Sequence, residues 1–206
     1  MKLFIFLTFF LTLNSYSKEM INILIIDTGI DKSHPLASKF DISEYLNTKV
    51  EEDHGTHLFC ILTKNLSPNR FKFSSFNYKK IKVNTIISKI KNIKFDYVLY
   101  AIGDDNPQKE ELELFNVLIK ENPNIKIIAS AGNNSKNLDI MSYYPCSYGL
   151  KNIECIGNND KYSNYGKIVK VINSPKYFES CSLKNGFSIK RGTSQTASYY
   201  LNKILQ

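Results

Sequence analysis

Three short segments of the chain carry the side chains that acyl transfer needs. Ile26-Asp27-Thr28-Gly29-Ile30-Asp31 offers a carboxylate, Asp53-His54-Gly55-Thr56-His57 an imidazole, and Arg191-Gly192-Thr193-Ser194-Gln195-Thr196-Ala197 a hydroxyl. A serine hydroxyl is a weak nucleophile until an adjacent base takes its proton. The imidazole serves as that base in the right tautomer when a carboxylate accepts from its other nitrogen. Taken singly, each segment reads blandly: Asp-Thr-Gly is a common turn, and a lone His or Ser is more often structural than catalytic. The combination in the order Asp27, His54, Ser194 is far more restrictive, because it matches one of the few chain orders in which such triads occur.

Such groups work only if rigid elements aim them at one point. Ile21-Asn22-Ile23-Leu24-Ile25-Ile26 is a nearly continuous run of branched apolar residues, as expected of a strand buried on both faces, and it ends at Asp27. Similar runs recur at residues 97–102 and 125–129, with shorter ones at 153–156 and 168–172. Between them, Ile86, Ile87, Ile90 and Ile93 share one helical face, with Lys89, Lys91 and Lys94 mostly opposite. Pro107 suits a first helical position, Glu110, Glu111 and Glu113 crowd the early turns, and Leu112, Phe115, Leu118 and Ile119 make a stripe that Pro123 stops. Strands alternating with helices predict an α/β fold, a doubly wound, mostly parallel sheet flanked by helices. In such a sheet, sites gather at the C-terminal ends of the strands, where the three segments would converge. Lys184-Asn185-Gly186 reads as a hairpin turn, and residues 193–205 as a last helix with Ser194 at its start.

These segments give residues 21–205 a resemblance to the subtilisin-like serine peptidases. Asp27-Thr28-Gly29, extended by Ile30-Asp31 and Ser33-His34-Pro35, is similar to that family's aspartate motif. His54-Gly55-Thr56-His57 is similar to its histidine motif and Gly192-Thr193-Ser194 to its serine motif. Ser130-Ala131-Gly132-Asn133 resembles the segment that supplies the oxyanion-hole asparagine, and Tyr162-Ser163-Asn164-Tyr165-Gly166 a turn found before the serine motif. The resemblance implies a serine endopeptidase with catalytic Asp27, His54 and Ser194 and with Asn133 stabilising the oxyanion. It also implies that Ala101-Ile102-Gly103 is the edge on which an extended polypeptide pairs, and that Ser130-Ala131-Gly132 walls the pocket for the residue before the cleaved bond. His34 and His57 are expected to be structural.

The sequence departs from the family pattern in several places. Leu58-Phe59-Cys60 follows the histidine motif where small residues are usual, Gln195-Thr196 replaces Met-Ala, Ser198 stands where Pro is usual, and Arg191 replaces a small residue. The first strand begins almost at the predicted start of the mature chain, where the family usually carries a pro-domain, and twelve residues follow Ser194. A catalytically silent relative that binds peptides or a partner protein is therefore the alternative reading.

Composition narrows the remaining classes. With 206 residues, 43% apolar and 22% charged, the chain can bury one substantial core, which excludes a disordered or collagenous protein. The net charge of +8 comes from lysines spread along the chain in short clusters, so a solvated basic surface is expected rather than a nucleic-acid site. Lys2, an apolar stretch over residues 3–13, and Ser15 and Ser17 before a cleavage point describe a signal peptide over residues 1–17 and an exported mature domain over 18–206. The apolar stretch is too short for a confident membrane span; no stable membrane association is expected after cleavage, and a monomer is expected. An even number of cysteines in an exported chain suggests disulfides, and Cys146 with Cys155 is the preferred pair among three possible pairings. Cys60 reads as a small buried residue or a disulfide partner. No Cys-x-x-Cys spacing or Ca²⁺-type acidic loop occurs, so neither metal nor cofactor is expected.

Overall fold

Seven parallel strands form one sheet in the order β2-β3-β1-β4-β5-β6-β7 in a computed structural model that describes residues 19–44 and 49–206. The strands are β1 (Ile21–Asp27), β2 (Asp41–Glu44), β3 (Phe71–Asn77), β4 (Tyr97–Tyr100), β5 (Lys126–Ser130), β6 (Ile153–Asn158) and β7 (Val169–Ile172). The predicted signal peptide lies outside the described residues. Among those described, no helix is long and apolar enough to cross a membrane.

The period-two alternation of a strand explains the two-sided core. On β1, Ile23 and Ile25 face one cluster, together with Leu58, Phe59 and Leu62 of α1 (His54–Thr63) and Ala197, Leu201 and Leu205 of α4 (Thr193–Leu205). Leu24 and Ile26 face the other, with Ile86 and Ile90 of α2 (Val83–Ile90) and Leu114, Phe115 and Leu118 of α3 (Lys109–Glu121). The sheet is thus covered on both faces, as the doubly wound expectation requires. Its order turns about β1, whose neighbours are β3 and β4, so Asp27 ends the strand at the crevice where such folds place their sites. A separate antiparallel hairpin, β8 (Phe178–Cys181) and β9 (Phe187–Lys190), lies against α1. Its turn puts Lys184 and Asn185 at φ of 55° and 60°, as a two-residue hairpin turn demands.

Two expected boundaries move. The helix expected from Pro107 begins at Lys109, because residues 104–106 are held instead by the Asp104 carboxylate, which accepts the Asn106 N–H at 2.8 Å. The run over residues 97–102 is a strand only as far as Tyr100, the last residue paired with β5, through Ala129. Both disulfides are formed: Cys146–Cys155, the preferred pair, and Cys60–Cys181, which joins α1 to the hairpin.

Candidate active site

The loop after β1 and the start of α1 are stapled together by the residues of their motifs. Thr28 Oγ1 accepts the Gly55 N–H at 2.9 Å, and Thr56 Oγ1 accepts the Asp31 N–H at 2.8 Å. Gly55 permits this approach: a Cβ there would lie 2.3 Å from the Gly29 carbonyl oxygen and 3.2 Å from Asp27 Oδ1. The result is direct contact between His54 Nδ1 and Asp27 Oδ1 at 2.8 Å, with Asp27 2% exposed and the imidazole 31% exposed. Asp27 Oδ1 also accepts the Thr28 N–H at 2.8 Å, which fixes the carboxylate plane. With the carboxylate accepting at Nδ1, the proton sits there and Nε2 is left as the basic nitrogen.

Burial of the imidazole resists its charging. The hydrogen bond and charge of Asp27 outweigh that resistance, Lys190 opposes and Asp53 assists, and the His54 pKa rises above its ordinary value of 6.5.

Ser194 is placed by the pairing of α4 with α1. Ser198 Oγ donates to the Leu58 carbonyl at 2.6 Å, and Asn202 Nδ2 to the Leu62 carbonyl at 2.7 Å. Ser198 and Leu58 stand four residues beyond Ser194 and His54, and Asn202 and Leu62 eight beyond. The two helices therefore run parallel in register, which aligns their N-terminal ends, His54 opening α1 and Ser194 standing second in α4. Ser198, one of the departures from the family pattern, is thus a rung of this ladder. Ser194 Oγ itself donates to the Ala101 carbonyl at 3.3 Å rather than to the imidazole.

Asn133 reaches the same point from the loop after β5. Its Oδ1 accepts the Thr193 N–H at 2.9 Å, which leaves its Nδ2 hydrogens and the Ser194 N–H without partners among the described residues. Gly192, at φ +135°, lies against that amide: a Cβ there would meet Asn133 Oδ1 at 3.0 Å. The loop is held by Asn164, which is fully buried. Its Oδ1 accepts the N–H groups of Asn134 and Lys136 at 3.0 and 2.9 Å, and its Nδ2 donates to the Ala131 carbonyl at 2.7 Å. The sequence marked Asn164 only as part of a turn; its clamp on the Asn133 loop is visible only in three dimensions. Thr193 is a second residue missed, its Oγ1 accepting the Gly132 N–H at 3.1 Å.

The expected substrate-binding segments flank the serine. Ala101 is buried, and Ile102 and Gly103 are half-buried just beyond β4; Ser130, Ala131 and Gly132 are buried on the other side. The larger residues near the motifs point elsewhere. Phe59 packs edge-on against Phe73 at 5.0 Å, and Arg191 lies 5.0 Å over the Tyr162 ring and 3.8 Å from Asp160. His57 Nε2 donates to the Ser188 carbonyl at 3.1 Å, and burial lowers its pKa. His34 Nε2 donates to the Gly186 carbonyl at 3.2 Å while its Nδ1 accepts from Leu36 N–H, so both are structural, tying their segments to the hairpin.

The fold is that of the subtilisin-like proteases. Over 88% of this chain and 77% of the other, it matches the self-cleaved protease domain of PatA with a TM-score of 0.68 at 16% identity. It matches the prenylagaramide maturation protease PagA with a TM-score of 0.67 at 16% identity, over 86% and 71% of the two chains. A cold-adapted subtilisin-like serine proteinase matches with a TM-score of 0.68 at 13% identity, over 91% and 75%. No protein-family model and no curated protein matches the sequence. At these identities the likeness speaks for the fold alone.

Proposed function

We propose that the chain is an exported serine endopeptidase that hydrolyses polypeptides through an acyl-enzyme on Ser194. The observation that carries this reading is the His54 imidazole held by Asp27 at 2.8 Å at the start of α1, together with the in-register packing of α4, whose second residue is Ser194. In the proposed cycle Ser194 leaves the Ala101 carbonyl and passes its proton to His54 Nε2 as Oγ attacks the peptide carbonyl carbon. Charge developing on the carbonyl oxygen meets Asn133 Nδ2 and the Ser194 N–H. The imidazolium then protonates the departing amine, and a water activated by the same nitrogen hydrolyses the ester. Among the described residues, 101–103 have no strand partner beyond Tyr100, which suits backbone pairing with an extended substrate. Two disulfides favour an oxidising compartment, in keeping with the signal peptide expected from the sequence.

Covalent labelling by a fluorophosphonate probe tests this function. Labelling of the full chain, lost in Ser194→Ala, is expected. The rival reading, a silent peptide-binding protein, draws on the Ser194–Ala101 hydrogen bond, and it predicts tight peptide binding with neither labelling nor turnover.

Two further outcomes follow from the site. Because the His54 pKa is raised, imidazolium persists to higher pH than for a free histidine, and imidazolium cannot accept the serine proton. The pH profile of kcat/KM should therefore rise through a midpoint above about 6.5, and Asp27→Asn should lower that midpoint. Stability runs the other way: the raised pKa contributes fully below the unfolded value and is lost as pH rises through the folded one. At Asn133, exchange for aspartate keeps the acceptor for Thr193 N–H but removes the amide donor. Asn133→Asp should lower kcat by about 10²–10³-fold with little change in thermal midpoint, which separates transition-state stabilisation from helix capping.

A further inference from the structure

The space beside Ser194 is already occupied by a side chain. On one side lie residues 101–103, whose first carbonyl accepts the Ser194 hydroxyl at 3.3 Å. On the other lies Gly132, whose N–H donates to Thr193 Oγ1 at 3.1 Å. The ring of Tyr143 stands between them. A Cβ built on Gly103 would fall 2.5 Å from Tyr143 Cε1 and 2.6 Å from its hydroxyl oxygen, and one built on Gly132 would fall 2.7 Å from Cζ. The ring thus touches both glycines so closely that neither could carry even a methyl group without moving it.

Tyr143 is also anchored. Its N–H donates to Ser147 Oγ at 3.0 Å, and its carbonyl accepts the Ser147 N–H at 2.9 Å. The next residue, Tyr144, pairs antiparallel with Asp104 through hydrogen bonds of 3.2 and 2.8 Å, which ties the loop to the continuation of the substrate edge. Three residues on, Cys146 is bonded to Cys155 of β6. The phenol stays neutral across any working pH, because burial, aided by Asp105, Asp104 and Glu111, pushes its pKa up to about 12.

A scissile carbonyl carbon must lie about 3 Å from Ser194 Oγ. The side chain next to it on the acyl side then projects between residues 101–103 and Gly132, into the space that the phenol fills. We infer that Tyr143 is a specificity-determining residue that restricts the position before the cleaved bond to glycine, alanine or serine. This rests on the serine-peptidase reading of Ser194 and adds to it the class of substrate.

The experiment measures kcat/KM of the full chain on a peptide series that varies only that residue. Wild type should cleave after alanine at least about 100-fold faster than after phenylalanine, a ratio of the size that pocket shape supplies. Tyr143→Ala should raise the phenylalanine-to-alanine ratio by about 100-fold, while Tyr143→Phe, which keeps the ring, should preserve the wild-type ratio. The wild-type series alone tests the inference should the alanine variant fail to fold. Wild type that labels with a fluorophosphonate and cleaves after phenylalanine as fast as after alanine overturns the inference and leaves the peptidase reading standing. A folded wild type that neither labels nor cleaves any member of the series sinks both.

Discussion

Ser194→Ala is expected to lower kcat on a denatured protein substrate by about 10⁶-fold, and His54→Ala by a similar factor. The double variant should be scarcely worse than either single one, since hydroxyl and imidazole act on the same proton and neither has a role without the other. Asp27→Asn should cost about 10⁴-fold, because an amide can donate to Nδ1 and so stabilise the wrong tautomer. These effects exceed what any displaced contact would produce, and the thermal midpoint of each variant distinguishes chemistry from unfolding. A Ser194→Ala protein that retained a tenth of wild-type turnover would rule out this nucleophile. The contact of Asp27 with His54 at 2.8 Å and the ladder between α1 and α4 make the prediction specific, since the first leaves Nε2 as the basic nitrogen and the second aligns the helix ends that carry His54 and Ser194.

The second large effect concerns stability. The Cys60–Cys181 link closes a segment with a sequence separation of 121, and Cys146–Cys155 one of 9. In the chain-entropy account, the first restricts the unfolded state by about 5 kcal/mol and the second by about half as much. Against a typical domain stability of about 5–15 kcal/mol, replacing Cys60 and Cys181 together with alanine should lower the thermal midpoint by roughly 10–20 °C, at about 2–4 °C per kcal/mol for a domain of this size. Replacing Cys146 and Cys155 should cost about half that. Scanning calorimetry of the two double variants checks the order, and a larger loss from the short loop would contradict this account. The long link also fastens the hairpin to α1, where Asp53, adjacent to His54, accepts hydrogen bonds from Ser182 and Ser188 at 2.9 and 3.1 Å. The oxidised state should therefore show in activity as well as in melting.

Much of the architecture was legible because doubly buried strands leave an unbroken apolar signature. Residues 21–26 show it plainly, as do the strands beginning at Tyr97 and Lys126. β3 does not: Phe71, Phe73 and Phe76 are buried, but so are Ser74, Ser75 and Asn77, and the mixed run resembles a loop. β2 is four residues at the sheet edge, too short to show a period. The candidate catalytic groups were readable because their chemistry demands particular residue types, and short motifs fix their neighbours. The roles of Asn164 and Tyr143 were not, because each acts across the fold. Asn164 spans about thirty residues to hold the Asn133 loop, and Tyr143 fills a gap lined by glycines forty and eleven positions away. Nothing local in either segment signals such a partner.

The rungs from Ser198 to Leu58 and from Asn202 to Leu62 have a consequence for how this chain can change. Side chains on the outer faces of the two helices can vary, yet one residue inserted between Ser194 and Ser198 would turn the hydroxyl by about 100° around its axis while the rungs beyond stayed fixed. The pair behaves like two combs pressed together, forgiving of altered teeth and intolerant of a skipped one. Length in these two segments is accordingly the property most tightly constrained by the architecture.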